Sequence, residues 1–240
     1  MPDALPDAVL RPGLPTDPRL AAGFTTRAFA LIGEPLDAVR ARLAAAERFA
    51  AVASVGQVHG AGVAVVRQGG HVAAHDALVT DVPGLLLTVL AADCALVLFA
   101  DAEAGVVGAC HSGWRGTVAE IAGATVAAME HLGARAERIR AAIGPCISAE
   151  AFETGEEVAA QFPASSVVRR PEWPRPHVDL RTDLARQLAA AGVGTAETVG
   201  GCTVGDAERF YSYRADNGRT GRMVGFVGLY ADAKPAARDR

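Results

Sequence analysis

The sequence predicts an α/β fold, and three observations carry that prediction. Leu85–Leu90 and Ala95–Phe99 are unbroken apolar runs of strand length, the pattern of strands covered on both faces. A helical pattern over Val118–Leu132 follows them closely, and strand-like and helix-like segments go on alternating toward the C-terminus. Half of the 240 residues are hydrophobic, which suffices for a substantial core in one domain.

The elements follow in order. Residues 1–20 are punctuated by prolines and read as a loosely structured opening. Gly23–Arg27 reads as a short strand. Leu36–Phe49 is rich in alanine, leucine and arginine and reads as a helix. Val52–Val58 and Val63–Val66 are short strands around the turn at Gly60–Gly62, and residues 67–76 read as loop. After the two apolar runs, Asp101–Gly105 turns the chain and Val106–Cys110 returns as a strand. His111–Gly116 leads into the helix over Val118–Leu132, with Thr117 and Glu120 as a capping box and Gly133 as the stop. Ile139–Ile143 is a further strand, and Glu153–Phe162 a helix. Residues 163–176 hold four prolines and read as a surface loop. His177–Leu180 is a strand, Thr182–Ala191 a helix that stops near Gly192, and Phe210–Tyr213 and Arg222–Tyr230 complete the sheet content. The expected organisation is one catalytic domain over 1–240, with 1–20 loose and 231–240 a frayed tail.

Composition narrows the function. Twenty-three Lys and Arg stand against 27 Asp and Glu, a formal net charge of -4, with no basic block between aromatics. A nucleic-acid partner is therefore not expected. The longest apolar stretch, Pro83–Ala92, is too short to cross a bilayer, so no membrane is expected. The N-terminus has no basic start followed by an apolar core, and four cysteines in a chain of this length do not make a disulfide scaffold. A cytoplasmic protein with free thiols is the expectation.

Chemistry-bearing residues concentrate at the turns. His59 lies just before a glycine turn, Cys94 between two apolar runs, and His111 at the end of a strand. They are separated by 35 and 17 residues, so only the fold can assemble them. Two imidazoles and a thiolate suit zinc, and three protein ligands leave a fourth position open for chemistry. Spacing alone does not select this trio. Buried cysteines are common in cores, and His71 with His75 makes an equally good combination. Cys110 alternates with His111 on a strand and belongs in the core. Cys146 follows a Gly-Pro turn and is a candidate pocket thiol or nucleophile, while Cys202 reads as structural or pocket-lining. Asp93 is a proton carrier, a group that supports a ligand, or a turn aspartate. Arg115, beside the start of a helix, is a candidate anion clamp or an ordinary surface cation, with Arg27 and Arg214 weaker candidates. Trp114 closes the pocket wall or fills the core.

Nine motifs then occur in one order along nearly the whole chain. They are Gly23-Phe24-Thr25-Thr26-Arg27, Gln57-Val58-His59-Gly60, Asp76-Ala77-Leu78-Val79-Thr80, Ala92-Asp93-Cys94 and His111-Ser112-Gly113-Trp114-Arg115-Gly116. Further on stand Ile143-Gly144-Pro145-Cys146-Ile147, Cys202-Thr203, Arg209-Phe210-Tyr211-Ser212-Tyr213-Arg214 and Thr220-Gly221-Arg222. Through them the chain resembles the bacterial polyphenol-oxidase-like or purine nucleoside phosphorylase family, the laccase-domain proteins. The resemblance implies an α/β (α+β) fold of layered mixed sheets flanked by helices, similar to cysteine-hydrolase-like folds. It implies zinc on His59, Cys94 and His111, and sets His71 and His75 aside as ligands. It implies a purine nucleoside phosphorylase for adenosine, inosine and S-methyl-5′-thioadenosine that also deaminates adenosine, with purine nucleoside and phosphate as partners of a monomer or homodimer. In that reading Asp93 carries a proton, Gln57 orients the base, Arg115 and Arg27 share the phosphate charge, and Cys146 lines the pocket. The alternatives are a copper-dependent polyphenol oxidase, a metal-independent cysteine hydrolase and a non-enzymatic purine-binding zinc protein. Multicopper oxidation needs several copper centres, and the six histidines hold only one closely spaced pair, His71 and His75, too few for them. The chain departs from the family pattern after Arg27. A glycine-rich stretch leading to Ser-Leu-Asn-Leu-Gly is usual there, whereas this chain has AFALIGEPLDAVRAR and no matching asparagine. Ser112 stands where alanine is frequent.

Overall fold

The computed structural model describes residues 8–14, 17–30 and 32–232. Its first strands are β1 (Val9–Leu10), β2 (Leu20–Thr25), β3 (Ala51–Val55), β4 (Val63–Val65), β5 (Gly70–Val72) and β6 (Ala77–Thr80). The central ones are β7 (Leu85–Ala91), β8 (Ala95–Asp101), β9 (Val106–Ser112) and β10 (Arg140–Ile143). Then come β11 (Val167–Val168), β12 (His177–Val178), β13 (Thr195–Thr198) and β14 (Met223–Leu229). The helices are α1 (Leu36–Ala46), α2 (Trp114–Val118), α3 (Ile121–His131), α4 (Glu156–Ala159) and α5 (Leu180–Ala190).

Two six-stranded mixed sheets stack face to face, one ordered β1-β2-β14-β7-β3-β5 and the other β13-β10-β8-β9-β6-β4. Phe24, Leu87, Leu96, Leu98, Ala109 and Val227 interdigitate between them. On the outer face of the first sheet, Val39 and Leu43 of α1 pack on Leu86 and Phe226. On the outer face of the second, Ile121, Val126 and Met129 of α3 and Leu184 and Leu188 of α5 pack on Val97, Phe99 and Ile139. The layers therefore run helix, sheet, sheet, helix, the arrangement the resemblance implies. This layering explains the unbroken apolar runs. All seven residues of each of β7, β8, β9 and β14 are buried, because both faces of each strand are covered. No helix among the described residues is long and apolar enough to cross a membrane.

Several elements differ from expectation for identifiable reasons. The helix expected over Val118–Leu132 is two helices, broken where Glu120 turns left-handed at φ 57°. No capping box forms, because the Thr117 hydroxyl donates back to the Gly113 carbonyl at 3.0 Å and meets Ser112 Oγ at 2.8 Å. Gly133 does end α3, at φ +98°. The opening contains a strand, β1, held against Phe24 and Thr25, while residues 1–7 and 233–240 of the expected loose ends lie outside the described residues. The expected loop 67–76 contains β5, and 163–176 contains β11; both are too short to show a sequence period. Ala77–Thr80 and Thr195–Thr198 are further strands. The helix expected over Glu153–Phe162 keeps only Glu156–Ala159. Phe210, Tyr211 and Ser212 are buried through side-chain packing, Tyr213 is exposed, and the segment forms no strand; the Tyr211 N–H bonds to Met223 Sδ at 3.1 Å.

Candidate active site

The site forms where the C-terminal ends of β3, β7 and β9 meet. His59 sits in the turn that leaves β3. Gln57 and His59 there are left-handed, at φ 52° and 63°. Two features hold that turn. The Gln57 amide clamps the Leu90 backbone, donating to its carbonyl at 2.6 Å and accepting from its N–H at 2.8 Å. Asp76, fully buried, accepts from the backbone N–H of Val58, His59 and Gly60 at 3.1, 2.9 and 2.8 Å. Its Oδ1 also accepts from His111 Nδ1 at 2.9 Å. One carboxylate thus shapes the His59 turn and fixes the His111 tautomer, leaving His111 Nε2 free to ligate.

Cys94 follows Asp93, another left-handed residue, at φ 85°. Such conformations cost energy in a residue other than glycine and cluster at functional sites. Here Asp93 is held on every side. Its Oδ1 accepts from the Thr203 hydroxyl at 2.6 Å, its Oδ2 from the Arg214 N–H at 2.7 Å, and its carbonyl from the Ile147 N–H at 2.9 Å. His111 pairs with Leu96 across the β8–β9 ladder, which brings it beside Cys94.

The donor atoms of His59, Cys94 and His111 lie within 4.8 Å of one another. The two imidazole rings stand edge to face, 4.8 Å between centroids. A simple steric test shows how well the space suits an ion. A Cβ on Gly113 would stand 2.8 Å from His59 Nδ1 and 2.9 Å from Cys94 Sγ. The residue opposite the donors therefore carries no side chain, and what is left is a cradle of two nitrogens and a sulfur. Burial pushes the Cys94 thiol up to about 12, with the charge of Asp93 adding to it. The desolvating cavity wall and the neighbouring His111 hold the His59 imidazole below its usual value. Burial opposes ionisation of Asp76, yet the bonds from His111, Gly60 and His59 outweigh it and keep the carboxyl low. Without a metal the trio is a protonated thiol beside a neutral imidazole, and a bound cation takes the place of the thiol proton.

The cluster opens into a cavity of about 710 Å³, within the range of small-molecule sites. His59, Cys94, His111, Asp93, Gln57 and Trp114 line it. Two residues expected there, Arg27 and Cys146, stand elsewhere, whereas Arg115 is near enough for its charge to add to the burial that lowers the His59 imidazole. Arg115 lies over the Trp114 ring, 4.2 Å from its centroid. Arg27 lies over Tyr211 at 4.8 Å and bonds the Ala207 carbonyl. Cys146 is fully buried behind the wall, takes a bond from Arg181 Nε at 3.2 Å, and has its thiol raised to about 11 by burial. Cys110 lies in the core under α3, as the strand alternation predicts. The arginines on the cavity wall are Arg40, Arg214 and Arg222. Arg214 was among the weaker candidates, and Asp76 and Arg222 stood in quoted motifs with no role attached. The order of the motifs was the signal for all three. His71 also lines the cavity, bonded to Ser54 Oγ at 3.1 Å, whereas the exposed His75 bonds the Ala73 carbonyl.

Comparison with known proteins agrees with this fold. The family described as multi-copper polyphenol oxidoreductase laccase matches residues 34–230. A purine nucleoside phosphorylase of Deinococcus radiodurans is 45% identical over 244 residues, covering 91% of this chain and 94% of that protein. The adenosine deaminase RL5, from an unknown prokaryotic organism, is 40% identical over 163 residues, covering 65% of this chain and 62% of that protein. The crystal structure of YlmD from Geobacillus stearothermophilus superposes with a TM-score of 0.83 at 31% identity, covering 93% of this chain and 96% of that one. With the family matched over most of its length and a relative aligned almost end to end, the chain belongs to the multi-copper polyphenol oxidoreductase laccase family.

Proposed function

We propose that the chain is a cytoplasmic zinc-dependent purine nucleoside phosphorylase acting on adenosine, inosine and S-methyl-5′-thioadenosine. The observation that carries this reading is a three-donor cluster, His59, Cys94 and His111, on the wall of a cavity that also presents Arg214 and Arg222. Structural zinc is usually closed by four protein ligands, whereas three beside a cavity suit catalysis. Two nitrogens and one sulfur suit zinc, which when bound supplies Lewis-acid polarisation of a ligand oxygen. The purine nucleoside phosphorylase name of the Deinococcus relative supports the substrate class.

The residues of the chain then divide the work. Arg222 spends Nη1 on the Thr220 and Gly221 carbonyls, at 3.3 and 2.9 Å, and offers Nε and Nη2 to phosphate. Arg214, held by the Ala151 and Glu153 carbonyls at 3.2 and 3.3 Å, adds a second positive charge. Such forks match phosphate oxygens in pairs. A phosphate oxygen forms the bond to C1′ while the C1′–N9 bond breaks and its electron pair enters the purine. The proton that hydrogen phosphate gives up is the one the base gains. Asp93 has both carboxylate oxygens engaged, so it positions Cys94 rather than carrying that proton.

A second reading, adenosine deamination in the same cavity, is favoured by the relative named adenosine deaminase. Phenol oxidation with copper ranks below both, because one mixed nitrogen–sulfur group among the described residues does not accumulate several electrons. A cysteine hydrolase is not supported, since Cys94 and Cys146, at about 12 and about 11, stay protonated at neutral pH. The test is chromatography of the products from adenosine, inosine and S-methyl-5′-thioadenosine with zinc-loaded protein, each with and without phosphate. Phosphate-dependent base and sugar 1-phosphate support the proposal. Inosine from adenosine without phosphate supports deamination instead.

A further inference from the structure

Cys146 and Cys202 take no part in the chemistry above, yet the fold sets them side by side. They pair across an isolated parallel bridge, with the Thr203 N–H donating to the Cys146 carbonyl at 3.1 Å. Opposite residues on neighbouring strands stand about 4.8 Å apart and point to the same face. A disulfide spans Cα atoms about 4.4–6.8 Å apart, so this pair can be bridged without unfolding either segment. The two Cβ atoms of a disulfide stand about 3.8 Å apart, so closing the bridge draws the segments together.

The two thiols differ in character. Cys202 is half-buried, and its Sγ accepts from the N–H groups of Ser148 and Gly205, each at 3.4 Å. Burial opposes ionisation there, yet bonds from the Ser148 hydroxyl and from the N–H groups of Ser148, Gly205 and Val204 outweigh it and hold the thiol below its ordinary value. A partly exposed sulfur with thiolate character is the kind that oxidants attack first. Cys146 is fully buried, its thiol is raised to about 11 by burial, and Arg181 Nε donates to its sulfur at 3.2 Å. Each cysteine also stands one residue before a support of the metal site. The Ile147 N–H donates to the Asp93 carbonyl at 2.9 Å, and the Thr203 hydroxyl donates to Asp93 Oδ1 at 2.6 Å. Asp93, next to Cys94, is left-handed at φ 85°, a conformation that persists only while its surroundings enforce it.

We propose that Cys202 is a peroxide-reactive thiol, that Cys146 is its resolving partner, and that the disulfide between them loosens the metal site through Asp93. Only the last clause rests on the reading that His59, Cys94 and His111 hold zinc, and none of it rests on the phosphorylase reading. The Cys202 thiolate attacks one oxygen of hydrogen peroxide. An S–O bond forms, the O–O bond breaks, and the other oxygen leaves as hydroxide, leaving a sulfenic acid on Cys202. The Cys146 sulfur then attacks Cys202 Sγ. The S–S bond forms, the S–O bond breaks, and the departing hydroxide takes the Cys146 proton and leaves as water. Two thiols lose two electrons in all, and one peroxide gains them. Closure withdraws Cys146 Sγ from Arg181 and Cys202 Sγ from Ser148 and Gly205. It also pulls on Ile147 and Thr203, so Asp93 loses part of its hold and Cys94 moves with it.

The test treats zinc-loaded wild type, Cys202→Ser and Cys146→Ser with hydrogen peroxide, alkylates the remaining thiols and maps the peptides by mass spectrometry. Zinc affinity is measured by chelator competition before oxidation, after it, and after reduction with a phosphine. Wild type is expected to yield a Cys146–Cys202 linked peptide and to lose about 10–100-fold in zinc affinity, the loss typical of a disturbed ligand support, with recovery on reduction. Cys202→Ser yields no linked peptide and keeps its affinity at the same peroxide dose. Cys146→Ser accumulates a Cys202 sulfenic acid that dimedone traps. If that buried variant does not fold, a dimedone adduct on Cys202 that precedes the linked peptide in wild type gives the same answer. Oxidation of Cys94 before Cys202, no linked peptide, a linked peptide with unchanged zinc affinity, or equal losses in wild type and Cys202→Ser overturn the proposal. Reduced wild type that binds no zinc sinks the metal reading, and the linked peptide then still decides for or against the thiol pair.

Discussion

Replacing Asp76 by asparagine tests whether one buried carboxylate organises the metal site. Asp76 accepts four hydrogen bonds, two on each oxygen. Asparagine keeps the shape but has one oxygen and one NH₂ group. If the oxygen faces His111 and the His59 N–H, the NH₂ meets the N–H groups of Val58 and Gly60. If it turns round, the NH₂ meets His111 Nδ1 and the His59 N–H. Two acceptor contacts are lost either way. At about 1.5–3 kcal/mol for a bond to a charged group, the loss is about 3–6 kcal/mol. A domain well inside the typical range of about 5–15 kcal/mol stays folded but loses much of its margin, and one at its lower end unfolds. Loss of the group that orients a histidine ligand costs about 10–100-fold in metal affinity. The assays are denaturant unfolding of the metal-free protein and zinc affinity by chelator competition. The native carboxyl lies below its ordinary value of 3.8, so its contribution is complete above that value and disappears as pH falls through the lower native one. The variant lacks this acid-sensitive component. Unchanged unfolding midpoint and unchanged zinc affinity in Asp76→Asn refute the reasoning.

Three further outcomes follow from the same geometry. Gly113→Ala places a methyl 2.8 Å from His59 Nδ1 and 2.9 Å from Cys94 Sγ at an ordinary φ of -76°, so zinc content falls close to zero while circular dichroism of the metal-free protein is unchanged. Arg222→Gln raises the KM for phosphate about tenfold or more and the KM for inosine much less, read from steady-state kinetics with each substrate varied. Because the Cys94 thiol is held near 12 and the His59 imidazole is held down, zinc binding releases one proton, and log apparent affinity rises about one per pH unit from about pH 7 to 9. A flat profile there contradicts that assignment.

The layers were legible in the sequence because burial on both faces leaves unbroken apolar runs such as Leu85–Leu90. The short edge strands β5 and β13 were not, since three or four partly exposed residues carry no period. The break between α2 and α3 was hidden because Glu120 turns left-handed where Thr117 and Glu120 resemble a cap. At the site, the trio followed from chemistry together with the motif order, whereas the spacings of 35 and 17 residues left His71 and His75 equally eligible. The set of arginines was incomplete for a physical reason. Adjacency to a helix start points to Arg115, whose guanidinium lies over Trp114 and whose charge reaches His59, but the cavity also takes Arg222 and Arg40 from distant segments that only the tertiary fold brings together. Asp76 was overlooked because its role is to accept bonds from the His59 turn, a function with no signature in spacing.

The central claim is that the His59, Cys94 and His111 site carries phosphorolysis of a purine nucleoside. The most direct measurement is product analysis from inosine and phosphate with protein loaded with zinc alone. The account predicts hypoxanthine and ribose 1-phosphate in equal amounts, dependent on phosphate and lost in Cys94→Ala. No product, or hypoxanthine released at the same rate without phosphate, contradicts it.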